Sequence, residues 1–262
     1  MRTAFAASGV VAIVAGLTGV FLVGRGQTFA GHALSHVGFA GATAAGLVGA
    51  SPLGGMIVLT VLAGIGMGLI GERLSERDVA IGIVLAVALG FGLLFLHYYT
   101  SFATQATALL FGNVLAVDTA TLWSLVALSV ITLIGLGAIS RPLLFATLHP
   151  ELAEARGVPM RLIGTVFLAI VALTVSASVQ IVGILLVFTL MVGPAAAAQR
   201  LTATLWSALA LSVGLAVAEA WLGIVIAFYT DWPTSFCITA LSALVYFAAI
   251  AITRRRIAGG GV

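Results

Sequence analysis

Apolar runs of about twenty residues follow one another along almost the whole chain, separated by short polar or charged breaks. The first, Ala4 to Val23, contains no charged side chain and is closed by Arg25. A helix of that length covers about 30 Å, the hydrocarbon thickness of a bilayer. Inside lipid every backbone N–H and C=O must be satisfied within the segment, which an α-helix does. The repeated runs therefore predict an all-α, polytopic membrane protein. Composition agrees: 62% of the 262 residues are hydrophobic and 7% charged, which no water-soluble domain combines with a wettable surface.

Further runs are read at Thr28 to Ala50, Pro52 to Gly71, Val79 to His97, Thr119 to Ile139, Arg161 to Gln180, Ile181 to Ala198, Thr204 to Thr230 and Thr234 to Thr253. The break between the sixth and seventh is open, because Val175 to Pro194 is apolar apart from Ser176, Ser178, Gln180 and Thr189. Tyr98 to Asp118, with Gln105 and Asn113, reads as an interfacial or re-entrant helix. The count is thus about eight or nine transmembrane helices in one domain spanning 1–262. Arg2 precedes the first run, but that run is long enough to span, so it reads as a retained helix and not a signal peptide.

All eleven basic residues are arginine. If each run crosses once, Arg25, Arg73, Arg77, Arg141, Arg156, Arg161, Arg200 and Arg254 to Arg256 fall on one side and only Arg2 on the other. By the positive-inside rule that side is cytoplasmic, with the C-terminus inside. Trp123, Tyr98, Tyr99, Tyr229 and Trp232 then gather at the outer interface. A net charge of +3 made of membrane-edge arginines points to the lipid bilayer and to no nucleic-acid partner. The single Cys237 rules out an internal disulfide framework.

The segment His149 to Met160 is a polar island. Pro150 suits a first helical turn, Glu151 and Glu154 favour an N-terminus, and Arg156 with Gly157 form a C-terminal signal. It reads as a short helix outside the bilayer, on the cytoplasmic side.

Few polar groups lie at membrane depth. His32 and His36 stand at i and i+4 on one helix face, a spacing that suits two ligands of one metal ion. Glu219 lies at comparable depth, where a lone carboxylate costs about 2.5–3.5 kcal/mol on insertion scales and needs a partner. The three form an N2O set for Zn²⁺, with Mn²⁺ or Fe²⁺ also accommodated, or else a proton pathway. His32-Ala-Leu-Ser-His36 lacks the glutamate of an intramembrane zinc protease. A chain without lysine has no phosphate-binding Gly-x-x-x-x-Gly-Lys loop. If transport is ATP-driven, another subunit hydrolyses the ATP and the island is its docking piece.

From Gly24 to about Ile252 the sequence resembles the permease subunits of the bacterial ABC transporters that import zinc, manganese or iron. His149-Pro-Glu-Leu-Ala-Glu-Ala-Arg-Gly-Val-Pro is similar to that family's Asp-Pro-Glu-Phe-Ala-x-x-x-Gly-Val-Pro. Val182-Gly-Ile-Leu-Leu-Val, Pro194-Ala-Ala-Ala-Ala-Gln-Arg-Leu-Thr, Leu110-Phe-Gly-Asn and Tyr229-Thr-Asp-Trp-Pro-Thr resemble further family stretches, and Ala33-Leu-Ser-His36 resembles its Asp-Ala-Leu-Ser-His motif.

The resemblance implies an ABC importer permease fold that is not itself an enzyme, in a bacterial inner membrane. It implies a separate ATP-binding cassette subunit, an extracytoplasmic metal-binding protein and a permease homodimer. It makes His149, Pro150, Glu151, Leu152, Ala153, Glu154, Ala155, Arg156 and Gly157 the coupling helix within 140–160, and it carries His36 and Glu219 over as metal-site residues. His32 stands where the family has an acid, which favours Zn²⁺ over Mn²⁺. His149 replaces an aspartate, and Ser235 a glycine. The ion would be delivered to an outer mouth near His97, Asp118 and Asp231, and uptake should weaken at acid pH because ligating imidazoles must be neutral. A proton-coupled secondary transporter is the alternative, needing no ATPase, and a non-transporting scaffold is a third reading that leaves Glu219 idle.

Overall fold

In the computed structural model of the chain, residues 1–70, 74–98, 111, 112, 114–184 and 187–259 are described, their side chains excepting 74–77, 116, 180 and 256–259. The described residues form ten α-helices. These are α1 (Arg2–Gly24), α2 (Thr28–Leu47), α3 (Pro52–Leu69), α4 (Leu74–His97), α5 (Thr119–Leu148), α6 (Pro150–Ala155), α7 (Met160–Val182), α8 (Val187–Leu201), α9 (Leu205–Thr230) and α10 (Thr234–Gly259), with a 3-10 turn at Val114–Ala116. No strand occurs among the described residues.

Seven of these helices are long and apolar enough to cross a membrane, namely α1, α3, α4, α5, α7, α9 and α10. α2 has twenty residues, also a spanning length, but its glycines and two histidines lower its hydropathy. The chain is a multi-pass membrane protein, consistent with the eight or nine crossings read from the sequence.

α1 and α7 form the centre: 72% of each apolar window is buried, against 17% for α4 at the periphery. α1 packs on α5, α7, α8 and α9, and α7 on α1, α2, α3 and α5. Lipid tails are as apolar as leucine, so helices in a bilayer associate by close approach and interhelical hydrogen bonds. Both devices occur here. A Cβ on Gly19 would run into the Met191 carbonyl of α8, and one on Gly16 would lie 3.0 Å from the Val213 Cα of α9. Thr18 and Thr174 hydroxyls pair at 3.1 Å across α1 and α7, Thr60 and Ser176 at 3.0 Å across α3 and α7. The Ser212 hydroxyl donates to the Gly16 carbonyl at 2.8 Å.

These contacts set an expectation. Gly19→Val, facing backbone that cannot yield, should cost about 1–3 kcal/mol of stability by overpacking. Gly9→Ala meets only the Trp221 ring, 3.3 Å away at its nearest atom, and should be tolerated. Thermal unfolding of the detergent-solubilised variants separates the two, and equal melting temperatures would contradict the packing account.

Several boundaries differ from the sequence expectation, among them the end of α10, which runs on past Thr253 to Gly259. α5 runs on past Ile139 to Leu148, with Pro142 inside it. Neighbouring groups in a packed helix absorb one missing N–H, and the helix stops where Pro150 disfavours helical backbone in the residue before it. The run expected from Ile181 is instead split at Gly183, leaving α8 with fifteen residues from Val187. α4 begins five residues earlier than Val79, at Leu74. Most of the expected interfacial helix between Tyr98 and Asp118, including Gln105, Leu110 and Asn113, lies outside the described residues, as do Arg73 and the Arg77 side chain.

Candidate metal centre

α2 carries both histidines to the edge of the core. Its other face buries Ala33, Leu34, Val37 and Ala40, and it packs on α3, α4, α7 and α8. One helical turn apart, the His32 and His36 rings meet edge to face with centroids 4.9 Å apart. His32 also lies edge-on to Phe188 of α8 at 5.5 Å. Its Nδ1 is buried without a hydrogen-bond partner. A buried nitrogen without a partner loses the desolvation energy of a polar group, which a bound cation would restore.

Glu219 is 2% exposed on α9, a helix packed between α1, α8 and α10. Ser242 of α10 is the polar side chain facing it, but that hydroxyl donates to the Thr189 carbonyl at 3.3 Å. Neither carboxylate oxygen has a hydrogen-bond partner. The same turn of α8 is thus met by His32 at Phe188 and by Ser242, the neighbour of Glu219, at Thr189. The structure brings the two histidines together but does not add Glu219 to them. Among the described residues no three His, Cys, Asp or Glu side chains converge on one point. A cavity of about 280 Å³ opens between α8 and α10, lined by Phe188, Thr189, Gly193, Ser242 and Tyr246.

The residues read as an outer mouth have separate structural places. His97 ends α4 with its ring edge-on to Tyr98 at 5.8 Å. Asp118 caps α5, accepting from the Thr121 N–H at 2.8 Å. Thr121, through its side chain and its backbone, holds that carboxyl below the usual carboxylate range. Asp231 caps the C-terminus of α9 in the left-handed conformation.

The polar island forms α6 as its sequence predicts, with Pro150 in the first turn and Glu151 beside it. Gly157, at φ 74°, closes it. Its N–H reaches the Glu154 carbonyl at 2.9 Å while the Val158 N–H reaches Ala153 at 3.0 Å, the paired bonds of a Schellman C-cap. Ala153 is buried against the bundle, while Glu151, Leu152, Glu154 and Ala155 are exposed. His149 bridges α5 and α6, near Phe145 at 6.5 Å. The Arg156 guanidinium lies 5.9 Å above that Phe145 ring.

Phe188 and Ser242 were not legible as site residues. An isolated Phe or Ser in an apolar run has no periodic partner, so only the tertiary contacts reveal them.

The sequence pattern of the ABC 3 transport family matches residues 1–253. The manganese transport system membrane protein MntC of Halalkalibacterium halodurans is 30% identical over 250 residues, covering 95% of this chain and 86% of that protein. The manganese import system permease protein ScaB of Streptococcus parasanguinis is 29% identical over 94% of this chain and 88% of its own length. Among solved structures, PsaBC from Streptococcus pneumoniae in complex with Fab superposes with a TM-score of 0.85 at 26% identity, covering 95% of this chain and 90% of that one. An apolar helical bundle, a short polar helix presenting its charged residues outward and a pattern matched almost end to end converge on one assignment: the chain belongs to the ABC 3 transport family, as a permease subunit and not an enzyme.

Proposed function

We propose that this chain is the membrane-spanning subunit of an ATP-driven importer of divalent transition metal ions, with its C-terminus in the bacterial cytoplasm. A separate ATP-binding cassette subunit seats on α6, a second copy of the chain completes the permease, and an extracytoplasmic binding protein delivers the ion. The observation that carries the reading is the His32 and His36 pair, two rings 4.9 Å apart with a buried nitrogen lacking a partner.

In this reading His32 and His36 hold the ion throughout, and Glu219 joins as third ligand when α8 shifts. Both sides of that turn of α8 are engaged, by His32 at Phe188 and by Ser242 at Thr189, and the adjoining cavity leaves room for the shift. Three ligands in one state and two in the other make affinity change with conformation, as transport requires. ATP-driven closure of the partner subunits moves α6 and drives the exchange.

Two imidazoles favour zinc over manganese. The manganese names of the relatives support the second reading, manganese itself. Competition between labelled zinc and manganese in vesicles holding all subunits decides between them. Wild type is expected to prefer zinc, and His32→Asp, which adds a hard oxygen ligand, should move the preference toward manganese by about tenfold. A manganese preference in wild type, unchanged in the variant, would remove the zinc reading. Uptake that proceeds without ATP would instead support the proton-coupled alternative.

A further inference from the structure

Arg25 occupies a junction that the transport site and α6 do not themselves explain. It is the C-cap of α1, at the turn that leads directly into the histidine-bearing α2. That turn is tightly determined: the Gly26 N–H bonds to Val23 and the Gln27 N–H to Leu22, each at 3.0 Å. From it the half-buried Arg25 side chain reaches across to the two helices that flank α6. Its Nη1 donates to the Thr147 hydroxyl at 3.3 Å, in the last turn of α5 before the His149 cap. Thr147 is held in place by its own bond to the Leu143 carbonyl at 2.6 Å. The guanidinium also passes beside Gly164, where an added Cβ would lie 3.9 Å from Nη2 in the opening turns of α7. Next to it, the Gln199 side-chain amide of α8 donates to the Val20 carbonyl at 2.7 Å.

The α1 terminus is thereby tied to the helix entering α6 and lies against the helix leaving it, while its continuation carries His32 and His36. We propose that Arg25 is a positioning residue that transmits displacement of the α5–α6–α7 hairpin to α2, and so couples the ATPase stroke to the metal site. A guanidinium suits this place because its planar fork offers several donors in a fixed geometry and keeps its charge. A flexible ammonium would hold the same neighbours less rigidly. The inference rests on the ATP-driven reading above.

The test measures metal uptake and ATP hydrolysis in the same vesicles, containing the full chain, its ATPase and its binding protein. Arg25→Gln is expected to lower metal moved per ATP about tenfold, within the usual span of coupling between sites, while binding-protein-stimulated hydrolysis stays within about twofold and the melting temperature holds. Arg25→Lys should recover part of the ratio. Thr147→Val, which removes the acceptor while keeping its shape and leaves α1 intact, should lower the ratio in the same direction, and it serves if Arg25→Gln does not fold. An unchanged ratio in Thr147→Val and in any folded Arg25 variant would overturn the inference alone. Uptake and hydrolysis falling together with the melting temperature would also overturn it, in favour of a purely structural role. Wild-type vesicles without ATP-driven uptake would overturn the transport reading and this inference with it.

Discussion

Metal uptake into vesicles holding the complete transporter is expected to fall to background in His36→Ala, a loss of about a hundredfold or more, while ATP hydrolysis persists. In the proposed site, losing His36 leaves His32 as the one imidazole, joined by Glu219 in a single conformation, too few ligands to hold a hydrated dication against water. His36 projects from the same helix face as His32, with the rings in contact, so the substitution removes a proposed ligand and leaves the buried side of α2 as it is. The neighbours that pack α2, Leu34 and Val37, are buried and unchanged. Glu219→Gln supplies the companion measurement. It removes charge and keeps shape, and if Glu219 joins only in one conformation it should slow turnover more than it weakens metal binding. Full uptake by His36→Ala, measured with folded protein, would remove the histidine pair from the mechanism.

The second large effect is expected at Gly183. This residue ends α7 at φ 83° and ψ 163°, a region that residues with a Cβ essentially do not enter, costing about 1–3 kcal/mol when they are forced there. Space is closed as well, since a Cβ on Gly112 would lie 2.6 Å from the Gly183 nitrogen and the Ile181 carbonyl. The two glycines let two backbones touch at the break between α7 and α8. Gly183→Val should therefore lose folded protein, with melting lowered by many degrees, and Gly112→Ala should be nearly as severe. Because Phe188 follows within α8, any surviving protein should also lose the His32 contact and transport poorly. Gly137→Ala, on α5 where nothing lies within 4 Å of an added Cβ, is the control and should be neutral or slightly stabilising. Equal stability of the Gly183 and Gly137 variants would show that the break tolerates other backbones.

Much of the architecture was legible from residues alone. Apolar runs long enough to cross a bilayer leave the backbone one solution in each segment, so α1, α3 and α9 fall within about two residues of where hydropathy puts them. The α6 helix was equally legible, because Pro150, Glu151 and Gly157 are local signals whose effect needs no distant partner. The His32 and His36 pair followed from helical periodicity, a property of one segment.

The remainder depended on contacts between segments. The break at Gly183 sits within apolar sequence on both sides, so hydropathy has no contrast to detect, and the close approach of Gly112 is what identifies it. The relation of Glu219 to the histidines has the same character. Depth along a helix can be counted from sequence, but azimuth around the bundle cannot, because in lipid every outward face is apolar. Packing around α1 and α7 turned Glu219 toward Ser242 on the α10 side, and put Phe188 against His32. Sequence by itself determined that the chain spans a membrane and carries paired imidazoles within it. Tertiary structure alone decided which side chains those imidazoles meet, because neighbouring helices are chosen by shape and close contact where the hydrophobic effect no longer distinguishes one face from another.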